Sequence, residues 1–240
     1  MPLSITSPIA SPIASPITSP IAFTMPQPIL YSLRNCPYAM RARIGIFKAQ
    51  QQVVVREVNL NNKPAEMIIA SAKGTVPILI LGDEQAPSSV LEESVDVMLW
   101  ALTENDPDNL LYKHDSTALP NMLTLITQFD DEFKTCLNAY KCAKRYRENN
   151  ITKCRQACEV YIQVLENRLT TNEQQRFLMS AQESLLDIAL LPFIRQFAKV
   201  ERQWYQQSPY PKVRQWLNFY LQSAMFTKVM AKHDVWVNNA

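Results

Sequence analysis

The chain reads as an α/β domain followed by an all-helical one, and three observations carry that reading. Short β-branched runs alternate with helix-forming stretches between residues 28 and 102. From residue 116 onward apolar residues recur at helical spacing with no further strand signal. Between the two lies "TENDPDN", residues 103 to 109, rich in loop formers, so residues 103–115 read as a linker. At 240 residues the chain is long enough for two modest cores. Hydrophobic residues make up 47%, charged residues 19%, and the formal net charge is +2. That balance calls for neither nucleic acid nor an anionic membrane as partner. No apolar run approaches the roughly 20 residues that a membrane-spanning helix needs.

Residues 1–27 stand apart. "SPIASPIASPITSPIA" repeats Ser-Pro-Ile every four residues from Ser7 to Ala22. Proline at that density removes backbone donors and disfavours helix, which predicts an extended low-complexity tail. The tail lacks the basic start of a secretory signal and the arginines of a transit peptide, and Met25 is a candidate alternative start.

"PILYSL", residues 28 to 33, predicts a first strand; "PYAMRARIGIFKAQ" predicts a helix with Pro37 in its first turn. "VVVREVNL", residues 53 to 60, predicts a second strand, paired in parallel with the first through a right-handed crossover. A short helix follows from Pro64. "TVPILIL" and "SSVLEES" flank the turn-like "GDEQAP" as an edge hairpin, and "SVDVMLWAL", residues 94 to 102, closes the domain as a helix.

In residues 116–240, "NMLTLITQFDDEFKTCLNAYKCAKRY" and "TKCRQACEVYIQVLENRL" each predict one long amphipathic helix. Ser184 and Asp187 have the S-x-x-D spacing of a capping box at the start of "SLLDIALLPFIRQF". Trp204, Trp216 and Trp236 lie in amphipathic segments and read as core. The basic "KCAKRYR", residues 141 to 147, reads as a solvated helix face, with Asp130, Asp131, Glu132 and Glu148 nearby.

Five cysteines, two histidines and no C-x-x-C pair leave too few ligands for a closed zinc site, so no metal is expected. Cys154 and Cys158 share one helix face as packing residues. An odd cysteine count without a signal peptide points to a reducing, cytoplasmic setting. Cys36 is different, because "NCPYAMR" places it at the N-terminus of the first helix. There the unpaired N–H groups favour its thiolate, with Arg34 and Arg41 as further cations. Ala39 stands where a resolving cysteine would be, so a mixed disulfide on Cys36 needs an external thiol.

"NCPYAMR", "KGTVPIL" and "LEES", in this order and at these distances, resemble the N-terminal domain of the glutathione transferase superfamily, most of all its cysteine-bearing omega-like and glutaredoxin-like members. The resemblance runs from about Ile29 to Trp236 and includes the capping-box helix. It implies a thioredoxin-like domain over residues 28–102 and an all-α C-terminal domain over residues 116–240. It also implies glutathione as cosubstrate and resolving thiol. Cys36 becomes the catalytic residue. Val76 before Pro77, a cis proline in related folds, would pair with the cysteinyl backbone of glutathione. Glu93 and Ser94 would take its γ-glutamyl end, Lys63 its glycyl carboxylate, and Tyr38 would touch it from the first helical turn. The implied activity is glutathione-dependent thiol transfer or dehydroascorbate reduction on a small disulfide or electrophilic substrate. The alternatives are conjugation of glutathione to electrophiles, with Tyr31 as the nearest hydroxyl, and glutathione binding without turnover. A homodimer is implied by the resemblance alone.

Overall fold

The computed structural model describes residues 26–171 and 174–237, so residues 1–25 of the Ser-Pro-Ile tail lie outside the described residues. Four short strands, β1 (Ile29–Ser32), β2 (Val54–Glu57), β3 (Ile78–Gly82) and β4 (Pro87–Leu91), form one sheet in the order β2-β1-β3-β4. β1 pairs with β2 in parallel and with β3 antiparallel, and β3 pairs antiparallel with β4. The βαβαββα order is completed by α1 (Pro37–Lys48), α2 (Ala65–Ala70) and α3 (Ser94–Glu104). Every residue of β1 is buried, in keeping with a continuous run rather than an alternating one in a strand covered on both faces. Helices α1 and α3 pack so closely that a Cβ on Gly45 would lie 2.7 Å from Met98 Cγ, and glycine there is a requirement of helix approach.

β2 is an edge strand, and the C-terminal segment covers it. Val235 bridges Glu57 in parallel, and the Trp236 amide donates to the Glu57 carbonyl at 2.8 Å. The Arg56 guanidinium lies 4.3 Å from the Trp236 ring centroid, and the Trp236 ring meets Tyr31 edge-on at 6.3 Å. Pairing of this kind removes free strand-edge donors and acceptors.

The helical half comprises α4 (Ala118–Gln128), a π-helical turn at Phe129–Phe133, α5 (Lys134–Tyr146), α6 (Ile151–Leu169), α7 (Leu185–Val200), α8 (Arg202–Gln207), α9 (Pro211–Leu221) and α10 (Ala224–Val229). The single helix expected across residues 121 to 146 is thus interrupted. The π turn keeps Phe129 and Phe133 buried while Asp130 reaches across to α1. Most of α7 is buried, and the expected capping box is present at Ser184 and Asp187. Asp187 accepts from the Ser184 amide at 3.1 Å and hydroxyl at 2.6 Å, from the Leu178 amide at 2.8 Å, and from the Trp216 indole at 2.8 Å. Burial pushes its carboxyl up to about 6, while these donors pull it back down. Glu166 on α6 plays a comparable part for α9, accepting from the Lys212 and Val213 amides at 3.0 and 2.8 Å. Among the described residues no helix is long and apolar enough to cross a membrane.

Cys158 is buried in the helical core and Cys154 half-buried beside it, as packing residues would be, and burial first of all pushes the Cys158 thiol up to about 12. Trp216 is buried, while Trp204 and Trp236 are half-buried.

Two outcomes follow from this packing. Asp187→Ala leaves the Leu178 amide and Trp216 indole buried without acceptors, and a loss of about 3–5 kcal/mol is expected in urea unfolding; a loss below about 1 kcal/mol would mean that the box is dispensable. At about pH 8, maleimide should modify exposed Cys142 and spare Cys158 until the chain unfolds. Equal labelling of the two in the folded protein, read by peptide mass, would contradict the burial.

Candidate active site

The turn between β1 and α1 presents a single thiol. Cys36 is the N-cap residue of α1, in extended conformation (φ −72°, ψ 125°), with Pro37 at the first helical position. Its amide donates to the Leu33 carbonyl at 3.0 Å, and its carbonyl accepts from the Met40 amide at 2.9 Å. The side chain makes no capping bond and is half-buried. Cys36 Sγ instead lies 3.7 Å from the Val76 carbonyl oxygen, just before the cis Val76–Pro77 bond. Two of the candidate positions, 40 residues apart in sequence, therefore meet at the thiol. Ala39 is fully buried, and all five cysteines are free.

The cation nearest in role to the thiol is not one of those the sequence suggested. Arg41 turns away into the domain interface, where its guanidinium grips Asp130 through two 2.7 Å bonds and donates to the Ala189 carbonyl at 2.9 Å. Arg34 donates from Nε to the Met230 carbonyl at 2.9 Å, and its amide donates to Glu57 at 2.7 Å. Arg43, two residues further into α1, is buried and braces the loop from beneath. It donates to the Ser32 hydroxyl, to the Arg34 carbonyl at 2.8 Å and to the Val229 carbonyl at 3.1 Å. Burial holds its pKa below the usual arginine value, and the negative charges of Glu57 and of the Cys36 thiolate act against that. The available signal was "MRARIGIF", two arginines inside an otherwise apolar helix.

The other candidate residues gather around the loop between α2 and β3. Glu93, the N-cap of α3, is exposed and ion-paired with Lys73, a residue the sequence did not single out. Glu92 beside it accepts from the Ser71 hydroxyl, which ties the start of α3 to the same loop. Ser94 is buried at the first position of α3, and its hydroxyl accepts a long 3.5 Å bond from Arg41. Lys63 is exposed, and its ammonium folds over Gly74, where an added Cβ would lie 3.0 Å from Nζ. Gly74 has φ +57°, a conformation that also favours glycine.

Tyr38 faces the helical half. Its ring packs edge-on against Phe193 at 5.1 Å, with Lys134 5.2 Å from the ring centroid, and its buried hydroxyl, close to the Lys134 ammonium, holds the lysine pKa above the usual value. One helical turn beyond Lys134 and Phe193, Asn138 and Gln196 line a cavity of about 610 Å³ between α5 and α7. The basic segment 141–147 borders it through Lys141, Lys144 and Arg145, and these residues are otherwise exposed. Tyr31 is buried, donates to Glu84 at 2.8 Å and accepts from Arg56 at 2.7 Å; burial above all drives its pKa well above the usual value.

This arrangement has counterparts. Family models described as glutathione S-transferase N-terminal domain and C-terminal domain match residues 30–109 and 148–218. The chain is 26% identical over 193 residues to pyrimidodiazepine synthase of Drosophila melanogaster, covering 78% of this chain and 74% of that one. It is 26% identical over 145 residues to glutathione S-transferase omega-2 of Rattus norvegicus, covering 59% of this chain and 56% of that one. Among solved structures, a glutathione transferase family member from Pseudomonas fluorescens Pf-5 with two glutathione bound superposes with a TM-score of 0.71 at 16% identity, covering 88% of this chain and 95% of that one. With an N-terminal thioredoxin-like sheet, a helical C-terminal domain and both family models in sequence order, the chain belongs to the glutathione transferase superfamily.

Proposed function

We propose that the protein is a glutathione-dependent thiol transferase of the omega-like kind, working through Cys36 in the cytoplasm as a homodimer. The observation that carries the chemistry is the half-buried Cys36 thiol at the start of α1, 3.7 Å from the Val76 carbonyl and with no second cysteine in the turn. The Cys36 thiolate attacks the glutathione sulfur of a glutathionylated substrate, forming the Cys36–glutathione disulfide and releasing the substrate thiolate, which takes up a proton. A glutathione thiolate then attacks the glutathione sulfur of that disulfide, giving oxidised glutathione and returning the Cys36 thiolate. The sum is one substrate disulfide reduced and one glutathione disulfide formed.

In this reading glutathione lies along the loop before Pro77. Its cysteinyl backbone pairs with Val76 as an added strand. Its γ-glutamyl carboxylate meets the Ser94 hydroxyl and the N-terminal amides of α3, while its ammonium displaces Lys73 from Glu93. Lys63 serves the glycyl carboxylate, and Tyr38 borders the route to the cavity between α5 and α7, where the second substrate would sit. Dehydroascorbate is one candidate for that substrate. The hydrogen bonding of Tyr31 weighs against conjugation activated by a tyrosine, because its hydroxyl already donates to Glu84.

Intact-protein mass after brief exposure to oxidised glutathione tests the mechanism. One adduct per chain, absent from Cys36→Ser and removed by reduced glutathione, is expected. An adduct spread equally over the other cysteines, or none at Cys36, would overturn it. Glu93→Gln should raise the KM for glutathione about tenfold and leave the melting temperature unchanged, since an exposed ion pair contributes little to stability. An unchanged KM would remove Glu93 from the ligand site.

A further inference from the structure

Helices α7, α8 and α9 border a second open cavity, of about 390 Å³, that Cys36 does not line. Arg195, Lys199, Arg202 and Arg214 line it, and Tyr205 forms part of its wall. Three half-buried cations elsewhere in the molecule are matched by carboxylates, Lys48 by Glu183, Arg56 by Glu84 and Arg155 by Glu201; in this cavity Arg195 and Arg214 are half-buried and Lys199 and Arg202 exposed. Among the described residues none of the four cations in this cavity forms an ion pair. Arg214 donates to the Ser208 carbonyl, and Arg195 lies 5.4 Å from the Phe226 ring centroid. Neither contact supplies negative charge.

The electrostatics register the mismatch. Burial, then the charges of Arg34 and Arg202, holds the Arg195 pKa below the usual arginine value, and burial with Arg195 and Arg202 does the same to Lys199. An independent observation comes from Tyr205. It is 7% exposed, and its hydroxyl is buried with no hydrogen-bond partner. A buried hydroxyl left unpaired costs free energy, which makes this wall of the cavity a less than fully satisfied part of the fold.

We propose that this cavity between α7, α8 and α9 binds a small polyanion, a compact molecule carrying two or more phosphate or carboxylate groups. Three guanidinium forks and an ammonium facing one space ask for more than a single negative charge, and the fork geometry suits both kinds of oxyanion. The shape argues for a small molecule over a nucleic acid or a membrane. The charges line a concavity whose volume falls within the roughly 300–1,000 Å³ of small-molecule sites. Binding there would relieve the repulsion among Arg195, Lys199 and Arg202, so occupancy should stabilise the fold by mass action. Cys36 is not among the residues that line it.

The test is calorimetric titration of the full chain at low salt with pyrophosphate and, separately, with citrate, backed by melting curves. Lys199→Gln/Arg202→Gln is the informative variant, because both side chains are exposed and the fold does not rest on them. Saturable binding of one or both anions, weakened about tenfold or more in that variant and unaffected by Cys36→Ser or by Lys153→Gln, is expected. The melting temperature should rise with the bound anion in the wild type and not in the double variant. The stronger of the two anions separates a phosphate ligand from a carboxylate one. No saturable binding of either anion, binding unchanged in the double variant, or an equal loss in Lys153→Gln would overturn the proposal. So would binding, dependent on Lys199 and Arg202, only of single-stranded nucleic acid or anionic vesicles.

Discussion

Arg41, on α1, is completely enclosed, and three separate parts of the chain converge on its guanidinium. Asp130 binds it bidentately from the π turn, the Ala189 carbonyl accepts from it on α7, and Ser94 touches it from α3. Removing an arginine from water costs several kcal/mol, which only charge-assisted bonds of good geometry offset. The Asp130 bonds, at 2.7 Å each, have that geometry. The directional result matters more than the net energy. With Arg41 fixed, α1 cannot slide or rotate against the helical domain, and Cys36 at its N-terminus is held in a defined position beside Val76. The interruption of the long helix by a π turn belongs to the same constraint, since it lets Asp130 face Arg41 while Phe129 and Phe133 stay in the core.

The fold was legible because it is written in local signals: β-branched runs, Pro37 at a helix start, and the capping box at Ser184 and Asp187. Strand ends were less so, because the residues 53 to 60 do not reveal that pairing with β1 runs over Val54–Glu57 and ends at the Val58 amide, which donates to the Ser32 carbonyl. The π turn was invisible for a related reason. The partner of its Asp130, Arg41, lies 89 residues away. In the site, Cys36 and Val76 were named from their own motifs, and their meeting is geometry. The roles of Arg34 and Arg41 were read from proximity in sequence, whereas a guanidinium extends far enough to serve another domain. Arg43, two residues further on, points back to the loop instead. Lys73 escaped notice because nothing distinguishes a surface lysine until its partner, Glu93, is placed opposite it.

The two cavities of the helical half differ in what surrounds them. The one between α5 and α7 carries basic residues on its rim, one of which, Lys144, has Glu201 at 3.8 Å. The other, between α7, α8 and α9, concentrates unmatched cations. Lys199 borders both, so the outer face of α7 forms a continuous positive ridge between them. Meanwhile the inner face of the same helix is apolar and anchored by Asp187 and Ala189. One helix thus serves as the core of its domain and as the wall of two concavities.

The short pairing of Val235 and Trp236 with β2 has an effect out of proportion to its size. The helical half begins where the linker leaves α3 and ends where the chain returns to the sheet at Glu57, so it is fastened to the α/β domain at both ends of its own sequence. A segment closed in this way has fewer conformations to gain when it loosens, because its ends stay together until the second fastening is broken. The clasp therefore acts much as a covalent ring closure would. It consists of one backbone bridge with its amide hydrogen bond and one tryptophan ring against Arg56.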